Sequence, residues 1–206
     1  MAGTTRLTGD NLTIALKMLD DVTTVLDSMQ IRYCLDGGTL LGIMRENRLL
    51  PWDNDMDLFA PADEFKRLKA ATWKFRRLGY RASIYHHGAD QPPFKTGEAR
   101  VLKVKTRKRL FFPGPINLDI FIKYKSGDNY YWKVGSKKNN VIKSVPAEYY
   151  DQLTQIEFNN KMHWIPEAYE DYLALRYGDW KSPVKEWNTM HDDQAINSVL
   201  RSNLNH

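Results

Sequence analysis

Three aspartates occupy every second position of one short segment, Pro51-Trp52-Asp53-Asn54-Asp55-Met56-Asp57. Side chains alternate across an extended strand, so the three carboxylates are expected to share one face while Asn54 points the other way. Like charges this close destabilise a fold unless a proton or a cation neutralises them. The segment therefore requires a fold in which this acidic face meets a counter-charge.

The chemistry of these side chains indicates which cation that would be. They offer only oxygen ligands, with no Cys or His nearby in the sequence, and such a set is typical of hard cations. Mg²⁺ is the expected cofactor, with Mn²⁺ also accepted. Asp55 and Asp57 are the expected ligands. Three roles remain open for Asp53, which would bind the metal, cap a turn or pair with Arg45.

A further carboxylate stands in a later apolar strand. Asp119 is the one acidic residue in the stretch Ile116-Asn117-Leu118-Asp119-Ile120-Phe121-Ile122, where an unpaired charge would be costly. A metal shared with Asp55 and Asp57 would give it a partner. The alternative is an ion pair with a cation on the next strand, for which there are three candidates: Lys103, Lys105 and Arg100.

Two glycines come just before the acidic segment. Ile31 to Leu35 is expected to form a strand, Gly37-Gly38 a turn, and Thr39 to Arg45 a helix. A strand, a glycine turn and a helix start together favour an anion site, because backbone N–H groups and the helix dipole point at the ligand. The alternative is a plain tight turn. Glycines that hold phosphate, followed by carboxylates that hold metal, are typical of metal-assisted phosphoryl transfer.

The order of expected elements is helix, strand, helix, strand, helix, three strands and then mainly helix, which indicates an α+β fold. Residues 1–145 are expected to form the catalytic core. Residues 146–206 are expected to form a mainly helical C-terminal extension with a hairpin at Ile156 to Ile165, packed on the core as one compact unit. Asn159-Asn160 would be the tip of that hairpin.

Composition limits the function classes only broadly. The net charge of +5 suits an anionic partner such as a nucleotide, but the chain has no stripe of alternating basic and aromatic residues, so nucleic acid is not the expected partner. A single cysteine excludes an internal disulfide. No apolar run reaches the length of a transmembrane helix and no signal peptide is evident, which predicts a cytoplasmic protein if the chain is full length.

The segment from Gly37 to Asp57 resembles the signature of the LicD family, which includes fukutin and fukutin-related protein. The motifs that carry the resemblance are Gly-Gly-Thr-Leu-Leu-Gly at 37–42, Arg45, Pro-Trp-Asp at 51–53 with Asp55 and Asp57, Leu-Asp-Ile-Phe at 118–121, and the stretch 172–183. The family is similar to the wider nucleotidyltransferase superfamily, with its polymerase-beta-like core. The resemblance thus implies a mixed sheet with helices packed on it.

The resemblance also implies a function and the residues that carry it out. LicD proteins transfer a phospho-alcohol, such as phosphocholine or ribitol phosphate, from a CDP-linked donor to a sugar hydroxyl, and CMP leaves. Asp55 and Asp57 become metal ligands, Asp119 the third carboxylate, and Gly37, Gly38 and Thr39 the donor-binding turn. Two alternatives remain, a nucleotidyltransferase that uses an NTP and a non-catalytic nucleotide-binding module.

The remaining candidate residues surround this site. Arg45 would hold a phosphate or pair with Asp53 or Asp36. Trp52 would form a wall beside the metals. Lys103 and Lys105 share a strand face and would line the nucleotide cleft, unless that face is simply solvated. Asp119 or Asp53 would accept the proton of the acceptor hydroxyl.

Overall fold

A computed structural model describes residues 6–108, 112–136, 139–184 and 187–197. The helices of this part of the chain are α1 (Asp10–Ser28), α2 (Gly37–Glu46), α3 (Phe65–Arg77), α4 (Glu148–Asp151) and α5 (Tyr169–Tyr177), with a 3₁₀ turn at Ala62–Glu64. The strands are β1 (Cys34–Leu35), β2 (Met56–Pro61), β3 (Arg81–His86), β4 (Ala99–Lys108), β5 (Phe112–Ser126), β6 (Asn129–Gly135), β7 (Asn140–Pro146), β8 (Leu153–Phe158) and β9 (Lys161–Pro166).

The main sheet has seven strands. Its central path runs β1-β2-β5-β4-β3, and β6 and β7 continue from the far end of the long strand β5. β2 and β5 run parallel, whereas the other paired strands of this sheet are antiparallel. The expected mixed sheet with helices packed on it is therefore confirmed. A parallel neighbour for β2 matters because it places residues of two distant segments side by side.

Each face of the sheet has its own composition. One face is apolar and fully buried in a core shared with α1 and α3; it includes Leu58, Leu102, Leu118 and Ile120. The other face carries Asp57, Asp119 and Lys103, which are direct partners in the strand register. Because side chains alternate along a strand, this one register separates the hydrophobic core from a charged surface.

The prediction of a mainly helical C-terminal extension is wrong. Beyond residue 145 the described chain has only the short helices α4 and α5, the hairpin β8–β9, and turns that follow Gly178. The hairpin itself is confirmed, with Asn159 and Asn160 at its tip in the left-handed region, at φ 53° and 60°. Asn tolerates this conformation better than most residues, and it suits the tight turn of a hairpin.

The segment after α5 returns to the body of the protein. The Asn197 backbone N–H donates to the Ile142 carbonyl at 2.9 Å, and the Ser144 N–H donates to the Ala195 carbonyl at 2.8 Å. β7 crosses the boundary predicted at residue 145, and the division into a core and an extension remains a prediction. Residues 198–206 of that extension lie outside the described residues. Within the described residues, no helix is both long and apolar enough to span a membrane.

Candidate functional site: a carboxylate cluster in a charged cavity

The parallel register of β2 and β5 brings two predicted site residues together. Asp57 is the direct partner of Asp119, so the two carboxylates leave the same face of the sheet on adjacent strands. Burial, and then the charges of Asp55, Asp53 and Asp119, raise the pKa of Asp57 well above its usual range. The juxtaposition of Asp119 with the acidic segment, expected from the sequence, is present in the structure.

Asp53 and Asp55 reach the same place from a turn rather than from the strand. β2 begins at Met56, and the Asp53 N–H donates to the Leu50 carbonyl at 3.0 Å. Burial, followed by the charges of Asp53 and Asp119, raises the pKa of Asp55 to about 7. Burial also raises the pKa of Asp53. The alternation predicted for residues 53–57 holds only from Met56 onward, and Asn54 lines the same cavity as the carboxylates.

The two glycines lie against these carboxylates. The helix predicted to start at these glycines is confirmed, and it includes both of them, because α2 begins at Gly37. A Cβ atom built on Gly37 would overlap Asp57 Oδ2, and one built on Gly38 would overlap Asp53 Oδ2. Gly37 also has a φ of +54°, which disfavours other residues. The missing side chains thus let two carboxylates approach the start of the helix.

Thr39 holds β2 in register with this helix. Its hydroxyl accepts the Asp57 backbone N–H at 2.8 Å, and the residue is buried. Thr39 is not part of the cavity wall, so the structure places it behind the site as a positioning residue.

We expect Gly37→Ala to damage the site beyond the effect of backbone strain. The positive φ should cost about 1–2 kcal/mol, and the overlap with Asp57 should add about 1–3 kcal/mol. Gly127→Ala is the matched control, because Gly127 has a φ of +56° with nothing within 4 Å of its Cβ position. Urea unfolding measures both variants, and equal losses of stability would contradict the close approach of Asp57.

The carboxylates lie in a cavity of about 810 Å³. Its walls come from α2, β4, β5, β6, and α5 with the chain that follows it. The aromatic side chains of this wall include Trp52, Trp132, Tyr177, Trp180 and Trp187. The sequence predicted only Trp52 here. Trp132 comes from β6, whereas Trp180 and Trp187 join the wall because the chain after α5 folds back over the open face of the sheet.

Lys103 balances part of the acidic cluster. It is the register partner of Asp119 on β4, and its ammonium group forms an ion pair with Asp119 Oδ2. The Asn117 side-chain amide donates to the other oxygen, Oδ1, at 2.7 Å. Of the alternatives left open for Asp119, the ion pair with Lys103 is therefore present, whereas a shared metal remains a prediction. Lys105 lies two residues further along β4 and is not part of the cavity wall.

Arg45 lines the cavity from α2. Its guanidinium donates two hydrogen bonds to Glu46 Oε1, at 3.0 and 2.7 Å, and lies 6.0 Å from the centre of the half-exposed Trp52 ring. The expected ion pairs of Arg45 with Asp53 or Asp36 are not present. Glu46 already neutralises part of the charge of Arg45. Phosphate binding by Arg45 remains a prediction.

A buried ionic network next to the cavity was missed by sequence reasoning. Arg176 donates to both oxygens of Asp193, at distances of 2.5 to 2.9 Å, and approaches Asp36 Oδ1 at 3.4 Å. Lys123 donates to Asp36 at 2.5 Å, and Lys143 donates to Asp193 at 2.6 Å. All five side chains are almost fully buried. The network joins the start of α2 to the C-terminal segment.

Electrostatics within the network favour the charged form of its carboxylates despite their burial. Burial alone would raise the pKa of Asp36, but the charges of Lys123 and Arg176 outweigh it and hold this pKa well below its usual range. Burial lowers the pKa of Lys143 to about 8. Arg176 also donates to the Tyr172 hydroxyl at 2.6 Å. This contact had one sequence signal, since the two residues are four apart on a helix and therefore share a face.

The donor chemistry of the acidic cluster fits a hard divalent cation. Its carboxylate oxygens are the preferred ligands of such ions, and a cation would relieve the repulsion that raises the pKa of Asp55 and Asp57. In the described part of the chain, no three acidic, His or Cys side chains are already arranged to hold an ion. Binding would thus require side-chain rotations within the cluster.

Comparison with known proteins supports the resemblance. The family model for the LicD/FKTN/FKRP nucleotidyltransferase domain matches residues 30–168. Lipopolysaccharide cholinephosphotransferase LicD of Haemophilus influenzae is 37% identical over 54 residues, which are 26% of this chain and 20% of that protein. Ribitol 5-phosphate transferase FKRP of Homo sapiens is 49% identical over 37 residues, 18% of this chain and 8% of that protein.

Among solved structures, the antibiotic-resistance factor ANT(2'')-Ia aligns over 93% of this chain and 85% of its own, with a TM-score of 0.45 and 13% identity.

The matches to the two transferases cover only a fifth or less of the length of those proteins. The family model, in contrast, spans most of this chain and includes all four carboxylates. On that match, the chain belongs to the LicD/FKTN/FKRP family of nucleotidyltransferase-domain proteins.

Proposed function

We propose that this chain is a metal-dependent phosphotransferase that moves a phospho-alcohol from a CDP-linked donor to a glycan hydroxyl. The observation that carries the proposal is the convergence of Asp53, Asp55, Asp57 and Asp119 in one cavity beside the start of α2. The names of two relatives, a cholinephosphotransferase and a ribitol 5-phosphate transferase, support phosphocholine or a polyol phosphate as the transferred group.

The four carboxylates would hold Mg²⁺ or Mn²⁺, which when bound supplies positive charge to the phosphoryl oxygens of the donor. The backbone N–H groups at the start of α2 would face the same oxygens, since the helix dipole favours negative charge there. Thr39 keeps Asp57 in place through the Asp57 backbone N–H. Lys103, freed from Asp119, would add a second cation beside the donor.

The proposed reaction is an in-line displacement at phosphorus. The acceptor oxygen forms a bond to the phosphorus of the transferred group, the bond from that phosphorus to the bridging diphosphate oxygen breaks, and CMP leaves with the electron pair. Asp53 or Asp119 would accept the proton of the acceptor hydroxyl. The aromatic wall of the cavity would exclude water, which otherwise competes with the acceptor.

The description of the matched family as a nucleotidyltransferase domain favours one alternative, in which the chain transfers NMP from an NTP and releases pyrophosphate. The two functions share the metal site and differ in the product that leaves. The experiment incubates the protein with CDP-choline, CDP-ribitol or CTP, with Mg²⁺ or with EDTA, and detects CMP and pyrophosphate separately.

We expect CMP from a CDP-linked donor in the presence of Mg²⁺ only. Pyrophosphate from CTP would favour the alternative instead. Calorimetry with CDP and CTP gives a second measurement that needs no acceptor. If neither nucleotide binds more tightly with Mg²⁺ or Mn²⁺ than with EDTA, the proposal is wrong.

A further inference from the structure

Two cations in the cavity wall differ from the others. Arg100 on β4 and Lys133 on β6 both line the cavity, and neither makes an ion pair with any residue that the structure describes. The other cations of the wall have carboxylate partners: Arg45 with Glu46, Lys103 with Asp119, and Lys143 and Arg176 with Asp193. Arg100 and Lys133 thus bring positive charge into the cavity without a carboxylate in direct contact, and the charge of Asp119 acts on Arg100 only from a distance.

The position of Arg100 is fixed by the end of β6. Its Nη1 donates to the Gly135 carbonyl at 3.0 Å, two residues along the strand from Lys133. The Nε atom of Arg100 is buried and has no hydrogen-bond partner among the described residues. The guanidinium is therefore held next to Lys133 with donor capacity that remains unused, and an unmet buried donor is costly.

Neighbouring groups show the effect of this positive charge. Burial, and then the charge of Arg100, lower the pKa of Lys133. His87 is buried nearby, stacked on Phe94 with ring centres 4.3 Å apart. Burial, followed by the charges of Lys133 and Arg100, lowers the pKa of His87 to about 4. The histidine is therefore neutral at physiological pH, and the positive charge at this place comes from Arg100 and Lys133 alone.

We propose that Arg100 and Lys133 form an anion subsite of the cavity that binds a phosphate group of a substrate. A guanidinium beside an ammonium group suits phosphate, which accepts several charge-assisted hydrogen bonds at once. Arg100 precedes Lys103 on β4 by three residues, a spacing that would place them on opposite faces of a regular strand. A register shift between Tyr85 and His86 on β3 leaves Arg100 without a strand partner, and Arg100 lines the same cavity as Lys103, up to about 10 Å away. A substrate with two phosphate groups could therefore bind the acidic cluster with one of them and the pair Arg100 and Lys133 with the other.

Two sources of that phosphate are possible within the proposed function, on which this assignment rests. One is the second phosphate of the CDP-linked donor. The other is a phosphate already present on the acceptor. Arg100 and Lys133 would recognise either phosphate in the same way, so CDP and glucose 6-phosphate serve as probes that distinguish the donor from the acceptor.

The test uses the double variant Arg100→Gln/Lys133→Gln and the control Lys69→Gln/Arg81→Gln. The control removes the same charge from two exposed positions outside the cavity. In EDTA, calorimetry with inorganic pyrophosphate should show at least tenfold weaker binding to the double variant than to the wild type or the control. Circular dichroism checks that each variant is folded. Lys133→Gln alone, at the less buried position, provides the same comparison if the double variant fails to fold.

The absence of metal separates this test from the proposed function. Asp57→Asn should bind pyrophosphate in EDTA at least as tightly as the wild type, because it removes a repelling charge from the cavity. With Mg²⁺, a tenfold loss of CDP affinity in the double variant assigns the subsite to the donor. Unchanged CDP affinity with weaker binding of glucose 6-phosphate assigns it to the acceptor. Pyrophosphate affinity equal to that of the control overturns the subsite.

Discussion

Asp57→Asn should reduce the turnover of a CDP-linked donor by about 10³-fold or more while the protein remains folded. Loss of a carboxylate at the centre of the cluster weakens the metal site, and such a metal supplies several kcal/mol of stabilisation to the transition state. Burial and four neighbouring carboxylates raise the pKa of Asp57, so the neutral amide should increase the free energy of unfolding without metal by about 1 kcal/mol.

Donor turnover in Mg²⁺ and urea unfolding in EDTA measure the two effects of this change. Asp63→Asn is the control, because Asp63 is exposed and its one ion pair among the described residues is with Arg32, at 3.3 Å. It should change neither turnover nor stability appreciably. Near-normal turnover by Asp57→Asn would contradict the metal assignment. Stability that falls instead of rising would contradict the repulsion within the cluster.

Arg176→Met should lower the free energy of unfolding by about 3–5 kcal/mol. Arg176 contacts Asp193 with two of its nitrogens and also approaches Asp36, and all three side chains are at most 5% exposed. Methionine keeps much of the apolar volume but leaves two buried carboxylates with one cation fewer. Because an uncompensated carboxylate charge then stays in the interior, removing Arg176 costs far more stability than breaking an ion pair at the surface.

Urea unfolding measures this loss, and Lys125→Met is the matched control. Lys125 pairs with Asp151 at 2.6 Å, but its side chain is 49% exposed. Solvent screens such a pair, so the control should lose no more than about 1 kcal/mol. Equal losses in the two variants would show that the Arg176 network does not stabilise the fold.

The acidic residues of the site were predictable because each carries its own local signal. Asp53, Asp55 and Asp57 stand out by their spacing, and Asp119 stands out as a charge in an apolar strand. The glycines were also found, but their role was only partly understood. Their lack of a side chain makes room for Asp57 and Asp53, and that contact depends on the position of β2 beside α2.

The buried network was not predictable in the same way. Lys123 follows Asp119 at an even spacing on β5, and Tyr172 precedes Arg176 by one helical turn, so each pair shares a face. Neither spacing reveals a partner. Asp193 lies in a polar segment with no periodic pattern, and only its contact with Arg176 and Lys143 distinguishes it from a solvated carboxylate.

The amino-acid sequence alone determined which chemical groups this protein brings to its site. They are closely spaced carboxylates that need a counter-charge and a helix that starts with two glycines, and a family signature surrounds them. Only the tertiary structure decided which charges meet. The parallel pairing of β2 and β5 places Asp57 beside Asp119, and the return of the C-terminal segment closes the cavity. Local spacing describes one element at a time, whereas partners are set by packing between elements that are distant in the chain.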